Sequence, residues 1–170
     1  IIRPTIEAMS KEGIPFKGIL YAGLMLTDEG PKVLEFNCRL GDPEAQVILP
    51  RLDTDLIEII MAIIDGKLHE TTITWNTDAY VGIVMASQGY PGDYKTGIRI
   101  NDIGDLTNEG LMFHSGTRSE QGKIYTDGGR VLTVVGGGNS VQSARNKAYE
   151  QINIVRFAGG FYRTDIGIPK

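Results

Sequence analysis

The chain has 170 residues, of which 41% are hydrophobic and 22% are charged, and this balance is typical of a globular protein and not of a disordered chain. One cysteine and two histidines exclude an internal disulfide framework and a zinc site built from histidine and cysteine. The formal net charge of −4 and the lack of an apolar run of about 20 residues argue against a nucleic-acid-binding surface and against a membrane span.

Composition changes along the chain. Residues 1–66 hold 6 glycines, 6 basic and 11 acidic residues, whereas residues 67–170 hold 16 glycines, 11 basic and 10 acidic residues. We therefore expect a domain boundary between Gly66 and Thr74. The chain opens on Ile-Ile-Arg-Pro, with no initiating methionine and no recognisable signal peptide. We expect a fragment or a processed product from a reducing, cytoplasmic compartment.

The first elements are a helix and a hairpin. Apolar residues at helical spacing from Ile2 to Met9, followed by Gly13, predict a short amphipathic helix. The stretches 18–26 and 32–37 predict two strands, and the Asp-Glu-Gly-Pro signal between them predicts an antiparallel pair.

Two more helices are predicted before the boundary. Residues 43–49 favour a short helix. Asp53 or Thr54 is expected to cap a second helix that runs to about Asp65 and ends at Gly66. This second helix is apolar over most of its circumference, so we expect it to be buried.

The remainder of the chain is β-rich. Strands are predicted over residues 79–87, 110–115, 123–126 and 130–135. The last two are joined through Asp127-Gly128-Gly129, which predicts a hairpin. Ser140 is expected to cap a helix that reaches Ile152, and an extended segment follows over residues 161–166.

The triple glycine Gly136-Gly137-Gly138 has two interpretations. It follows a strand and precedes a helix, a context that could cradle phosphate at the helix N-terminus. Its spacing matches neither dinucleotide-binding nor Walker loops, so we favour a flexible connector.

The second strand carries the clearest chemical signal. Alternate side chains of a strand share a face, so Glu35 and Asn37 are expected on one face, while Leu34 and Phe36 face the core. A carboxylate and an amide oxygen about 7 Å apart can share one hard cation. Arg39 follows with a fork of donors suited to phosphate. The alternative is that these three polar side chains form the solvated face of an edge strand.

The same segment resembles the phosphoribosylamine–glycine ligase family of ATP-grasp enzymes. The resemblance rests first on Gly-Ile-Leu-Tyr-Ala-Gly-Leu-Met at residues 18–25 and Val-Leu-Glu-Phe-Asn-Cys-Arg-Leu-Gly-Asp-Pro-Glu at residues 33–44. It continues in order through residues 84–87, 89–94, 113–117, 128–132 and 162–167. The matching blocks therefore cover nearly the whole chain.

The resemblance implies an α+β architecture. Residues 1–66 would be the C-terminal part of an ATP-grasp domain, a hairpin plus helices. Residues 67–170 would be a small β-rich C-terminal domain with one long helix. The N-terminal part of the family, including the lysines that hold the nucleotide, would be missing, and the fragment alone would be inactive.

The resemblance also implies a reaction. The family joins glycine to 5-phosphoribosylamine in de novo purine (IMP) biosynthesis, with ATP converted to ADP and phosphate through a glycyl phosphate. We expect ATP, glycine and 5-phosphoribosylamine as small-molecule partners, together with the missing N-terminal part, and neither nucleic acid nor a membrane. The alternative is a stand-alone binding module that keeps the fold without catalysis.

Site residues follow from the family motif. Glu35 and Asn37 match the positions that ligate Mg²⁺ or Mn²⁺ at the ATP phosphates, and Arg39 matches a catalytic residue that neutralises the transferring phosphoryl group. Asp42 could pair with a substrate ammonium or cap a helix. The residues expected on the substrate side are Gly41, Asp42, Glu44, Arg130 and Arg163.

Overall fold

The structure, a computed structural model, describes residues 1–101, 103 and 110–168. The chain divides into two compact units. The N-terminal unit comprises residues 1–45 and 52–75, and the C-terminal unit comprises residues 46–51 and 76–170. Among the described helices, all are too short or too polar to cross a bilayer.

The first half of the chain contains one hairpin and several short helices. In chain order these are α1 (Ile2–Lys11), β1 (Tyr21–Thr27), β2 (Gly30–Asn37), α2 (Ala45–Ile48), a 3₁₀ turn (Leu49–Arg51), α3 (Leu56–Asp65) and a second 3₁₀ turn (Leu68–Glu70). The predicted first helix and the predicted antiparallel hairpin are confirmed. The hairpin runs from the pair Tyr21–Asn37 to the pair Thr27–Gly30, with a bulge after Gly23.

The N-cap of helix α3 lies one or two residues after the predicted caps, Asp53 and Thr54. Its N-cap is Asp55, whose Oδ1 accepts a hydrogen bond from the backbone N–H two residues on, at 2.7 Å. The predicted caps, Asp53 and Thr54, instead donate their backbone N–H groups to the carbonyl of Thr74. The predicted end is confirmed, because Gly66 adopts the left-handed conformation, with φ of 73°.

The expected burial in this half of the chain is wrong. Gly41 is the single buried residue among residues 1–75, all of which the structure describes. On α3, Ile57 is 69% exposed and Ile64 is 61% exposed, and on β2 Leu34 is 64% exposed and Phe36 is 41% exposed. A two-stranded sheet with short helices presents more apolar surface than these elements can cover for one another.

The C-terminal unit has a closed core. Its main elements are β3 (Ala79–Ser87), β4 (Arg99–Ile100), β5 (Gly110–His114), β6 (Thr117–Glu120), β7 (Lys123–Thr126), β8 (Arg130–Gly138), α4 (Val141–Ile152) and β9 (Gly160–Phe161). One antiparallel sheet has the order β5-β8-β3-β9 and the other the order β4-β7-β6. Helix α4, capped by Ser140 as predicted, packs on β8 and β3. Fully buried side chains of this core include Ile83, Val131, Val134, Ala144, Ala148 and Ile152.

The predicted hairpin between β7 and β8 is wrong, because these strands belong to different sheets. The connection hydrogen-bonds to other segments. The N–H of Asp127 donates to the carbonyl of Gly116 at 2.7 Å, and the N–H of Ser87 donates to the carbonyl of Gly129 at 2.8 Å. The Asp-Gly-Gly turn therefore carries the chain from one sheet to the other.

The hairpin that does form joins β6 and β7 through Gln121-Gly122. Both residues have positive φ, 50° and 74°, as a two-residue hairpin turn requires. The final segment begins with the short strand β9, in which Gly160 and Phe161 pair with Ser87 and Ala86 of β3.

The triple glycine is part of strand β8, so both the connector and the phosphate-cradle interpretations are wrong. Gly136 lies beneath α4. A Cβ atom at this position would lie against the Ala144 carbonyl and 2.5 Å from the Ala148 nitrogen. The glycine is needed because the helix backbone approaches the strand this closely.

We predict that Gly136→Ala lowers the free energy of unfolding of the C-terminal unit by about 1–3 kcal/mol, because overpacking must push α4 away from the sheet. Gly137→Ala is the matched control, since a Cβ there meets the movable ring of Tyr80. Urea denaturation followed by circular dichroism measures both variants. Equal losses in the two variants would contradict the account of Gly136.

Candidate functional site

The hairpin brings Glu35 and Asn37 together. The Asn37 side-chain amide donates from Nδ2 to Glu35 Oε1 at 2.8 Å. Across the ladder, Tyr21 lies opposite Asn37 and Gly23 lies opposite Glu35. A Cβ at Gly23 would lie 3.1 Å from Glu35 Cγ, so the glycine leaves room for the carboxylate side chain. The two predicted metal ligands therefore share one face of β2 and are in contact.

Glu44 reaches the same hairpin from the turn that follows β2. The turn is closed by the Ala45 N–H, which donates to the Gly41 carbonyl at 2.9 Å. The side chain of Glu44 forms a hydrogen bond with the Tyr21 hydroxyl. A Cβ at Gly41 would overlap Glu44 Oε2 and lie 3.3 Å from Tyr21 Cζ. Gly41, Glu44 and Tyr21 thus form one packed group, while Asp42 is exposed on the turn.

The environment of Tyr21 favours the protonated form of its hydroxyl. Its pKa is raised above the ordinary value of 10.0 by desolvation, by the hydrogen bond to Glu44, and by the negative charges of Glu44 and Glu35. A tyrosine hydroxyl is protonated at neutral pH even at its ordinary pKa, so Tyr21 can donate this hydrogen bond. Sequence reasoning missed Tyr21 as a site residue. The signal was available, because a residue that begins β1 must lie opposite the end of β2 in a hairpin with a short turn.

Arg39 lies at an apolar cavity. Its Nη1 donates to the Leu40 carbonyl at 2.8 Å. The cavity has a volume of about 770 Å³, and its lining residues are Lys17, Gly18, Ile19, Cys38, Arg39, Leu40, Leu56, Ile60, Ile63 and Ile64. In the described part of the chain, the hydrogen bond shown for Arg39 is thus local and does not join it to the Glu35–Asn37 pair.

The two remaining predicted residues belong to the C-terminal unit. Arg130 is half-buried at the start of β8, opposite Ala86. Arg163 is exposed and holds Asp165 with two hydrogen bonds of 2.9 Å and 2.6 Å, which raise the pKa of its guanidinium. A substrate anion at Arg163 would have to compete with this carboxylate.

Glu35 and Asn37 have the chemistry of a hard-cation site. A carboxylate and an amide carbonyl are oxygen ligands that Mg²⁺ prefers. Among the described residues, no group of three acidic, histidine or cysteine side chains is arranged to hold a metal ion. A cation at this pair would therefore take its other ligands from water or from substrate oxygens, as Mg²⁺ commonly does.

Two family models match the chain. Residues 1–45 match the ATP-grasp (A) domain of phosphoribosylglycinamide synthetase, and residues 80–169 match the C domain of the same enzyme.

Curated relatives match over 98% of the chain. A phosphoribosylamine–glycine ligase of Caldanaerobacter subterraneus is 50% identical over 166 residues, which are 40% of its length. The trifunctional purine biosynthetic protein adenosine-3 of Gallus gallus is 49% identical over 169 residues, which are 17% of its length. The chain thus spans about two fifths of the bacterial relative and a smaller share of the avian one.

Solved structures show the same fold. The crystal structure of phosphoribosylamine–glycine ligase from Thermotoga maritima matches with a TM-score of 0.77 and 38% identity, over 94% of this chain and 39% of that chain. The biotin carboxylase domain of a Hydrogenobacter thermophilus carboxylase, at 12% identity and a TM-score of 0.62, shares the fold alone.

Proposed function

The chain belongs to the phosphoribosylglycinamide synthetase family, and from this premise we propose that it is the C-terminal portion of an ATP-dependent ligase that joins glycine to 5-phosphoribosylamine in purine biosynthesis. The observation that carries the proposal is the contact between Glu35 and Asn37 on one strand face, beside the Tyr21–Glu44 hydrogen bond. This arrangement supports the proposal, because it brings a carboxylate and an amide into contact on one strand, as a shared cation would require.

Glu35 and Asn37 would hold Mg²⁺ or Mn²⁺ at the phosphates of ATP. Their mutual hydrogen bond uses Glu35 Oε1 and the Asn37 amide nitrogen, so Glu35 Oε2 and the Asn37 carbonyl oxygen lie outside it. When bound, the cation supplies positive charge that neutralises phosphate oxygens. The protein contributes the fixed spacing of the two ligands, because both belong to one strand.

Arg39 would act on the transferring phosphoryl group. Phosphoryl transfer is accelerated by positioning and by neutralisation of charge, and it needs no side-chain nucleophile. Arg39 follows the metal strand directly, and its local hydrogen bond to a backbone carbonyl leaves its fixed positive charge at the end of that strand. In this role its planar fork would contact two phosphoryl oxygens at once.

The turn after β2 would form a substrate-binding segment of the N-terminal unit, and Arg130 and Arg163 are separate candidates for substrate binding in the C-terminal unit. Gly41, Asp42 and Glu44 lie on the turn that follows the metal strand, and Gly41 and Glu44 pack beside Tyr21. Asp42 and Glu44 supply negative charge suited to an amine or ammonium group. Arg130 and Arg163 supply positive charge suited to the phosphate of 5-phosphoribosylamine.

The missing part of the enzyme would complete the fold. We propose that residues 1–66 end an ATP-grasp domain and that residues 67–170 form the small C-terminal domain. The upstream part would cover the exposed apolar faces of α3 and of the hairpin. The expected setting is cytoplasmic, with small-molecule substrates and without nucleic acid or membrane partners.

We predict that Glu35→Ala and Asn37→Ala, each made in the full-length enzyme, lower ligase turnover about a hundredfold or more, because removal of charge stabilisation in the transition state has costs of this size. Stability should change little, since neither side chain is buried. Glu29→Ala is the matched control, because this exposed carboxylate on the same hairpin pairs with Lys32. Wild-type turnover by both site variants across a Mg²⁺ titration would contradict the assignment of Glu35 and Asn37 as metal ligands.

We predict that Arg39→Lys in the full-length enzyme lowers kcat and kcat/KM together and leaves the KM for ATP nearly unchanged. Lysine keeps the charge but loses the planar fork, so the loss falls on the transition state. Steady-state kinetics with varied ATP measure it, and Arg3→Lys on α1 serves as the control. A rise in KM with kcat unchanged would make Arg39 a ground-state anchor and contradict the assignment.

We predict that the 170-residue chain alone folds in its C-terminal unit but does not catalyse ligation. The C-terminal unit has a buried core, whereas the first 75 residues bury one glycine. An open strand would bind Mg²⁺–ATP weakly, since water competes for every contact. Phosphate release with ATP, glycine and 5-phosphoribosylamine tests activity, and calorimetry tests Mg²⁺–ATP binding. Robust turnover by the isolated chain would show that the missing part is not required.

A further inference from the structure

The hydroxyl of Tyr21 links two segments that the sequence separates. Tyr21 begins β1 and lies opposite Asn37, the last residue of β2. Its hydroxyl forms a hydrogen bond with Glu44, which lies on the turn beyond that strand. Its ring is also close enough to Glu35 to sense the charge of that carboxylate. Tyr21 thus contacts Glu44 and lies across the ladder from Asn37.

The absence of a side chain at Gly41 leaves the space in which Glu44 and Tyr21 make this contact. Gly41 is buried, and a Cβ there would lie 3.0 Å from the carboxyl carbon of Glu44 and 3.3 Å from Tyr21 Cζ. Gly41 is absent from the residues with positive φ, so its role is to leave space and not to permit an unusual backbone conformation. The carboxylate of Glu44 therefore has the phenol of Tyr21 on one side and the bare Cα of Gly41 on the other.

The ammonium group of glycine requires a negatively charged partner, and the carboxylate of Glu44 has the matching charge. Glycine has two polar groups, and in the proposed reaction its carboxylate is consumed when the acyl phosphate forms. The ammonium group does not react in this step, so the enzyme can bind it throughout acyl phosphate formation. A fixed carboxylate beside the metal pair is the complementary group, and a freely rotating one would lose entropy on binding.

We propose that Tyr21 is a positioning residue that holds the carboxylate of Glu44 for the ammonium group of glycine. The inference rests on the proposed function and deepens it, since it assigns the glycine subsite. Tyr21 acts through Glu44 and does not itself touch the reacting atoms. Gly41 is the second positioning residue, because it admits the carboxylate.

The test is a kinetic comparison in the full-length enzyme. Tyr21→Phe should raise the KM for glycine about tenfold, as expected for a lost hydrogen bond to a charged group. The KM for ATP should change less than about twofold, because the residues proposed to act at the ATP phosphates are Glu35, Asn37 and Arg39, and not Glu44. Tyr80→Phe is the matched control, since the Tyr80 hydroxyl also has a hydrogen bond, from Asn76 Nδ2 at 3.2 Å. In a Glu44→Gln background, Tyr21→Phe should have little further effect on glycine.

Gly41→Ala gives a second route to the same result, because it displaces Glu44 while it keeps the Tyr21 hydroxyl. It should also raise the KM for glycine more than the KM for ATP. Circular dichroism identifies any variant that fails to fold, and the other variant then decides. An unchanged KM for glycine would overturn the inference but not the proposed function. An equal rise in KM for glycine and for ATP that persists in the Glu44→Gln background would have the same consequence. An unmodified enzyme without glycine-dependent phosphate release would overturn the proposed function and the inference with it.

Discussion

The pairing register of β1 with β2 is the constraint on which the candidate site depends. This register places Tyr21 opposite Asn37 and Gly23 opposite Glu35. Because side chains alternate between the two faces of a strand, a shift of one residue would turn the polar pair to the other face. It would also replace the glycine opposite Glu35 by a residue with a side chain. The bulge after Gly23 lies beyond these two pairs, so it does not disturb them.

The two units of the chain differ in how they satisfy their apolar residues. The C-terminal unit encloses Ile83, Val134 and Ile152 between a sheet and α4. The N-terminal unit leaves Ile57 and Leu34 more than half exposed. The curated bacterial relatives are about two and a half times as long as the matched region. Packing of the additional chain on the apolar faces of the N-terminal unit would account for the difference in burial between the two units. The candidate metal ligands Glu35 and Asn37 lie on the N-terminal unit, whose apolar faces are the more exposed.

Local sequence signals predicted the elements that depend on local chemistry. Ser140 caps α4 and Gly66 ends α3 as expected, because a helix cap and a left-handed helix end depend only on residues adjacent in the sequence. The contact between Glu35 and Asn37 follows from strand alternation for the same reason. The family resemblance supplied the chemistry, since Glu-x-Asn-x-Arg also fits an ordinary solvated strand.

Features that depend on distant segments were not predictable in this way. The Asp127 turn has the sequence of a hairpin, but its backbone groups bond to Gly116, between β5 and β6, and to Ser87 of β3. Gly136 has the sequence of a flexible loop, yet the close approach of α4 explains it. Tyr21 appeared to be one apolar residue of a strand, and its role depends on the position of Glu44. In each case the deciding neighbour lies outside the local turn or strand whose pattern gave the prediction.

The most direct measurement is a crystal structure of the full-length protein with Mg²⁺ and a non-hydrolysable ATP analogue. The account predicts a cation about 2.0–2.2 Å from one oxygen of Glu35 and from the carbonyl oxygen of Asn37, with its remaining ligands from phosphate and water. The account would be contradicted by a structure in which the nucleotide-bound cation is held by other residues while Asn37 still donates its amide to Glu35.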